Sequence, residues 1–249
     1  MDMYSSRSGV SSQRFMIWLT LGLMSIFGVG LMGLMKFVPP PPANLSANEV
    51  LELYRANPIR FKFGAILGLL AGGCITPLTV VISAQMARVE RGVPVWAILQ
   101  GLTGAVGTAF FWLPMICFAT ASFSLERAPE LTLLLHELGW ICFIVPVSLF
   151  PLQLLGICVV SFSTHEDEQS SAFPRWIGYL NAWVLITSLG APMAVIFKTG
   201  IFAWNGLVPF YIPLTLFSIW LPAMSYSCLR ALRFQESPAS QATPAAQVM

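Results

Sequence analysis

Six long apolar runs, separated by short polar connections, dominate the 249-residue chain. They occupy 15–35, 63–86, 95–123, 138–162, 176–197 and 207–229, and none has an interior Asp, Glu, Lys or Arg. A helix needs roughly 20 apolar residues to cross the hydrocarbon core of a bilayer, so each run is long enough to span it. The pattern predicts an all-α polytopic membrane helix bundle with about six transmembrane helices, forming one domain over 15–232. The flanking segments 1–14 and 233–249 are rich in Ser, Ala, Gln and Pro and are expected to be disordered.

Composition agrees. Hydrophobic residues make up 56% of the chain and charged residues 10%, with a mean hydropathy of +0.75. A soluble domain carries roughly 25% charged residues, so the lipid bilayer is this protein's expected solvent and partner. The first run is about twice the length of a signal-peptide core and has no Ala-x-Ala site after it, which reads as a retained span. No nucleic-acid partner is expected.

Orientation follows from the basic residues, which are retained on the cytoplasmic side. With the N-terminus inside, Arg7, Arg14, Arg88, Arg91, Arg175, Arg230 and Arg233 face the cytoplasm, and Lys36, Arg55, Arg60, Lys62, Arg127 and Lys198 lie outside. The short connection 87–94, which carries Arg88 and Arg91, favours both termini inside; the longer 36–62 segment opposes it.

That longer segment opens with Pro39 to Pro42, which cannot continue a helix and leaves the membrane extended. Ser46 and Glu49 then have the spacing of a capping box, followed by Val50, Leu51, Leu53 and Tyr54 on an amphipathic turn or two that ends at Asn57-Pro58. A short helix on the membrane surface is expected there, as a spacer or a lid.

Within the spans, Gly64, Gly68, Gly72 and Thr76 recur every four residues, and Gly101, Gly104, Ala105, Thr108 and Ala109 repeat the theme in the third run. Small residues on one face let a neighbouring backbone approach, so these are expected contact faces. Gly and Pro interrupt the second run at 72–77 and the fifth at 188–192. Paired interruptions in corresponding helices of two inverted halves point to a binding site at mid-depth.

Much chemistry is excluded. Two histidines, His136 and His165, are too few for a histidine-rich iron site, and the five cysteines are scattered singly as buried thiols. No phosphate-binding loop, dinucleotide fingerprint or nucleophile elbow occurs, and neither cofactor nor metal is expected. The run His165-Glu166-Asp167-Glu168 reads as a solvated turn rather than a cation site. His136 and Glu137 are the candidate acid/base pair, against the alternative of an interfacial amphipathic turn. Arg127 and Lys198 are candidates for an anionic headgroup.

The turns Phe173-Pro174-Arg175-Trp176-Ile177-Gly178-Tyr179 and Lys198-Thr199-Gly200-Ile201-Phe202-Ala203-Trp204-Asn205-Gly206 are more specified than generic loops. With them the chain resembles uncharacterised bacterial multi-span integral membrane proteins over 15–232. The resemblance implies a bacterial inner membrane and carries no activity.

The functional expectation is a non-enzymatic membrane protein that binds or helps transport an apolar small molecule or lipid. Trp112, Trp183, Tyr211 and Trp220 are the candidate apolar contacts, with Gln100, Gln153 and Asn181 as polar groups that orient the ligand. The alternatives are a membrane enzyme acting on a lipid or isoprenoid-like substrate, and an accessory subunit that joins a membrane protein partner or its own copies.

Overall fold

The computed structural model describes residues 7–145, 150–163 and 172–236. Among them the regular structure is helical, with no strand. Ten α-helices follow one another: α1 (Arg7–Gly28), α2 (Ala47–Arg55), α3 (Pro58–Leu70), α4 (Thr76–Val89) and α5 (Val95–Gly107) come first. They are followed by α6 (Ala109–Phe123), α7 (Pro129–Ile144), α8 (Phe150–Ser163), α9 (Arg175–Ser188) and α10 (Ile212–Glu236).

Four helical stretches are long and apolar enough to cross a membrane: Gly9–Leu34, Val95–Phe123, Arg175–Val195 and Gly200–Glu236. The second apolar run is instead divided, into α3 with α4, and the fourth carries α7 and α8, with 146–149 between them outside the described residues. In the second run the division is built from Gly72 and Gly73, with Pro77 in the first turn of α4. Backbone pairing continues through it by short turns, Cys74 N–H to the Ala71 carbonyl at 2.9 Å and Thr76 N–H to the Gly73 carbonyl at 3.0 Å. A helix interrupted at mid-depth needs such bonds, because lipid offers none.

Interruption does not disturb register. The second run lies antiparallel to the first along its whole length: Gly64 against Gly30, the Leu78 N–H donating to Thr20 Oγ1 at 3.0 Å, and Gln85 Nε2 donating to Gln13 Oε1 at 2.8 Å. The third run lies antiparallel to the second, with Gly72 against Trp112, Gly68 against Met115, Thr79 against Gly104 and Ser83 against Gly101. The fourth follows the third, Gly139 against Phe118 and Gln153 against Gly104. A Cβ on Gly64 would stand 2.9 Å from the Gly30 carbonyl, and one on Gly68 2.5 Å from Met115 Sδ. The small-residue stripe is therefore a contact face, and dispersion at that close approach holds the helices where lipid removes the hydrophobic drive.

Helix extends into the described parts of both flanking segments. α1 begins at Arg7, and α10 runs on to Glu236. Arg14 of α1 pairs with Glu236 of α10, and Gln85 of α4 bridges the same two helices, accepting from Gln235 Nε2 at 3.2 Å and donating to Gln13 Oε1 at 2.8 Å. A second local device starts α5, where the Glu90 carboxylate accepts from the Trp96 and Ala97 N–H groups at 3.0 and 2.7 Å. Those orphan donors at a helix start favour an anion.

The connecting helix α2 forms with its capping box in place, Ser46 N–H donating to Glu49 Oε2 at 2.8 Å. Its apolar face does not lie on lipid. Val50, Leu51 and Tyr54 are buried, and the helix packs against α7. The outside of the bundle is apolar instead, with Leu70, Leu102, Trp183 and Ile186 all exposed. A surface of that kind is stable only against lipid tails or other apolar protein.

Inside, the buried residues form two cores. One gathers Leu78, Ile82, Met86, Leu154, Ile177 and Trp220; the other gathers Phe37, Tyr54, Phe118, Trp140, Trp204 and Phe210. Phe111 packs against both.

Candidate functional site

Between the two cores lies a half-enclosed cavity of about 180 Å³. Its walls come from the places where helices are interrupted. Ile75 closes the break before α4, Gly107 ends α5, Phe143 and Ile144 end α7, and Phe150 is the first described residue of α8. Ser188 ends α9, Ala191 begins the 3₁₀ turn Ala191–Val195, and Pro209 and Phe210 belong to the π-helical turn Leu207–Tyr211 before α10. α6 packs on α7, whereas α10 packs on α9, α4 and α1. The cavity lies between these two sets of helices, lined by Phe110 and Phe111 from α6 and Leu214 and Phe217 from α10.

Among the described residues the wall carries no charged side chain and, besides Gln153 and Ser188, no polar one. Ser188 is neutralised locally, its hydroxyl donating to the Leu185 carbonyl at 2.7 Å. Gln153 is different: it is 3% exposed, and its amide nitrogen has no hydrogen-bond partner. Gly104 makes room for it, since a Cβ there would stand 3.1 Å from Gln153 Cδ and 2.5 Å from Thr79 Cγ2. Thr79 Oγ1, on the other side of Gly104, is also buried and unpartnered. An apolar pocket with one convergent polar group is the usual form of a small-molecule site.

Of the residues expected from sequence to contact a ligand, Gln153 lines this cavity and the others lie elsewhere. Trp112, Trp183 and Tyr211 turn outward, each more than a third exposed. Trp220 is fully buried and donates through Nε1 to Asn181 Oδ1 at 2.9 Å, while Asn181 Nδ2 donates to the Ile177 carbonyl at 2.8 Å. This pair is a structural tie between α9 and α10. Gln100 is buried one turn from Gly104, where its Oε1 accepts from the Ser83 hydroxyl.

The acid/base candidates separate. Glu137 faces Lys198, whose Nζ donates to it at 2.8 Å on an exposed surface. His136 points the other way, into the second core, with Nδ1 3.0 Å from the Tyr54 hydroxyl. Burial holds the Tyr54 phenol well above its ordinary value of 10.0, so the hydroxyl stays neutral beside the imidazole, whose Nε2 has no partner. Phe37, Phe118, Trp140 and Trp204 pack round that imidazole. Lys198 is tied to Glu137, and Arg127 lies in the connection between α6 and α7, away from the cavity.

Among the described residues no three His, Cys, Asp or Glu side chains gather as a metal site. His165, Glu166, Asp167 and Glu168 lie outside the described residues. Cys74, Cys117, Cys158 and Cys228 are buried free thiols, and Cys142 is half-buried. Sequence reasoning missed Phe111, Gly107 and Thr79. Gly107 carried a faint signal as the glycine three residues beyond Gly104.

The chain matches no family model, no curated protein and no solved structure.

Proposed function

We propose that this chain is a six-span integral membrane protein that binds an apolar small molecule or lipid-derived group at mid-depth and helps move it. The observation that carries the reading is the cavity of about 180 Å³ assembled from helix interruptions. Interrupted helices converging on one point at mid-depth are a recurrent construction of membrane binding sites. The six-span count is supported by register, because the divided second run pairs with the first along its length, and the described parts of the fourth pair with the third on both sides of 146–149. Both termini are cytoplasmic in this reading, on the strength of Arg88 and Arg91, and the membrane is a bacterial inner membrane.

An enzyme acting through His136 and Glu137 finds no support in the geometry, since the two side chains face different surroundings. A Cβ added at Gly107 meets nothing within 4 Å, so Gly107→Leu projects a side chain into the cavity without a backbone clash. Native mass spectrometry of gently extracted protein tests the proposal. The wild type is expected to retain a defined apolar molecule and Gly107→Leu to lose it at unchanged thermal stability. A wild type that retains no small molecule but a stoichiometric polypeptide shifts the reading to an accessory subunit.

A further inference from the structure

The size of the cavity and Gln153, the polar side chain of its described wall that is not already hydrogen-bonded, define the ligand more narrowly, on the premise that the cavity is a binding site. We infer that the ligand is a neutral, ring-sized apolar molecule, or a group of that size, bearing one hydroxyl or carbonyl oxygen that hydrogen-bonds the Gln153 amide.

Three observations set those terms. First, volume: an apolar cavity of roughly 150 Å³ in another protein holds benzene. One of about 180 Å³ therefore admits a single ring with a small substituent and excludes a whole phospholipid. Second, charge: none of the described lining residues is ionisable, and an ion moved into such a wall without a partner is strongly disfavoured. The ligand is neutral.

Third, the polar anchor: Gln153 is 97% shielded, yet its nitrogen bonds to nothing. A buried amide left unpaired destabilises the folded state, so the group is a cost unless something completes it. Ser188 does not compete, because its hydroxyl already serves the Leu185 carbonyl. An amide presents both a donor and an acceptor end, and a ligand hydroxyl can use either. The absence of a Cβ at Gly104 holds that amide at the wall between α5 and α8.

The test compares phenol with toluene, which differ by one hydroxyl in place of a methyl. Binding is measured to protein in lipid nanodiscs, with empty nanodiscs subtracting partition into lipid. A wholly apolar cavity disfavours phenol, because a hydroxyl buried without a partner costs on the order of ten- to a hundredfold in affinity. The wild type is expected to bind phenol at least as tightly as toluene. Gln153→Leu is expected to shift the phenol-to-toluene ratio about tenfold or more towards toluene, a ratio that does not depend on how much protein is folded. If Gln153→Leu yields no folded protein, Gln153→Met takes its place, and the wild-type ratio alone still decides.

Toluene binding with phenol excluded by the wild type, or a ratio unmoved by the substitution, overturns the assignment of the polar anchor and leaves the cavity reading standing. Binding of neither probe to the wild type, together with native mass spectra in which the wild type retains no small molecule, overturns both.

Discussion

The Tyr54 hydroxyl lies 3.0 Å from Nδ1 of His136, a contact between residues 82 apart that fastens the connecting helix α2 to α7 inside an aromatic core. Both residues are essentially inaccessible. Removing one partner there leaves a buried polar atom orphaned, which costs more than the bond itself contributes. Tyr54→Phe is expected to destabilise the fold by ~1–3 kcal/mol. Tyr54→Phe combined with His136→Phe, which removes both partners, is expected to recover part of that loss in a double-mutant thermal unfolding cycle.

The capping box makes α2 sensitive to acid. Hydrogen bonds from Ser46 hold the Glu49 carboxyl below its ordinary value of 4.5. A depressed folded-state value stabilises above the unfolded-state value and is lost as pH falls through the folded one. Protection of the α2 amides, taken as intrinsic over observed exchange rate at each pH, is expected to be full at neutral pH and to fall as pH drops below 4.5. Ser46→Ala should show the faster exchange at every pH.

Two adjacent glycines should respond in opposite ways to the same substitution. A Cβ at Gly72 would collide with Trp112, whereas one at Gly73 meets nothing within 4 Å. Gly72→Ala is expected to cost ~1–3 kcal/mol through overpacking. Gly73→Ala is expected to be neutral or to stabilise by ~0.4–1 kcal/mol, since it restricts the unfolded chain. Thermal midpoints in one detergent distinguish them.

Single-tryptophan variants should divide by position. Trp183 is 64% exposed on an apolar outer face and Trp220 is fully buried. Brominated acyl chains are expected to quench Trp183 strongly and Trp220 weakly. Trp220→Phe should also lower stability by ~1–3 kcal/mol, because Asn181 Oδ1 loses its buried donor.

Helix content was readable from the sequence because every apolar run is long and free of charge. The third run, 95–123, coincides with the helical stretch Val95–Phe123. Where helices stop was harder to read. Gly72-Gly73 announced the break in the second run, but Glu90 reaches forward to cap α5 from outside the usual capping position, and the clasp of Arg14 with Glu236 joins opposite ends of the chain. Site residues were read less well for a physical reason. In lipid the outward face of a helix is as apolar as the inward one, so the hydrophobicity of Trp112 or Trp183 does not say which way it points. Gln153 was legible as a rare amide within an apolar run, and its orientation was not.

The pairing of Arg14 with Glu236 constrains topology. Those residues stand near the start of α1 and at the end of α10, so these two helix ends lie at one face of the bundle. A chain that leaves a membrane on the side it entered has crossed it an even number of times. Five crossings are thereby ruled out for any bilayer placement that α1 and α10 both traverse. Reporters fused at the two termini must then give the same answer about sidedness, whichever face that is.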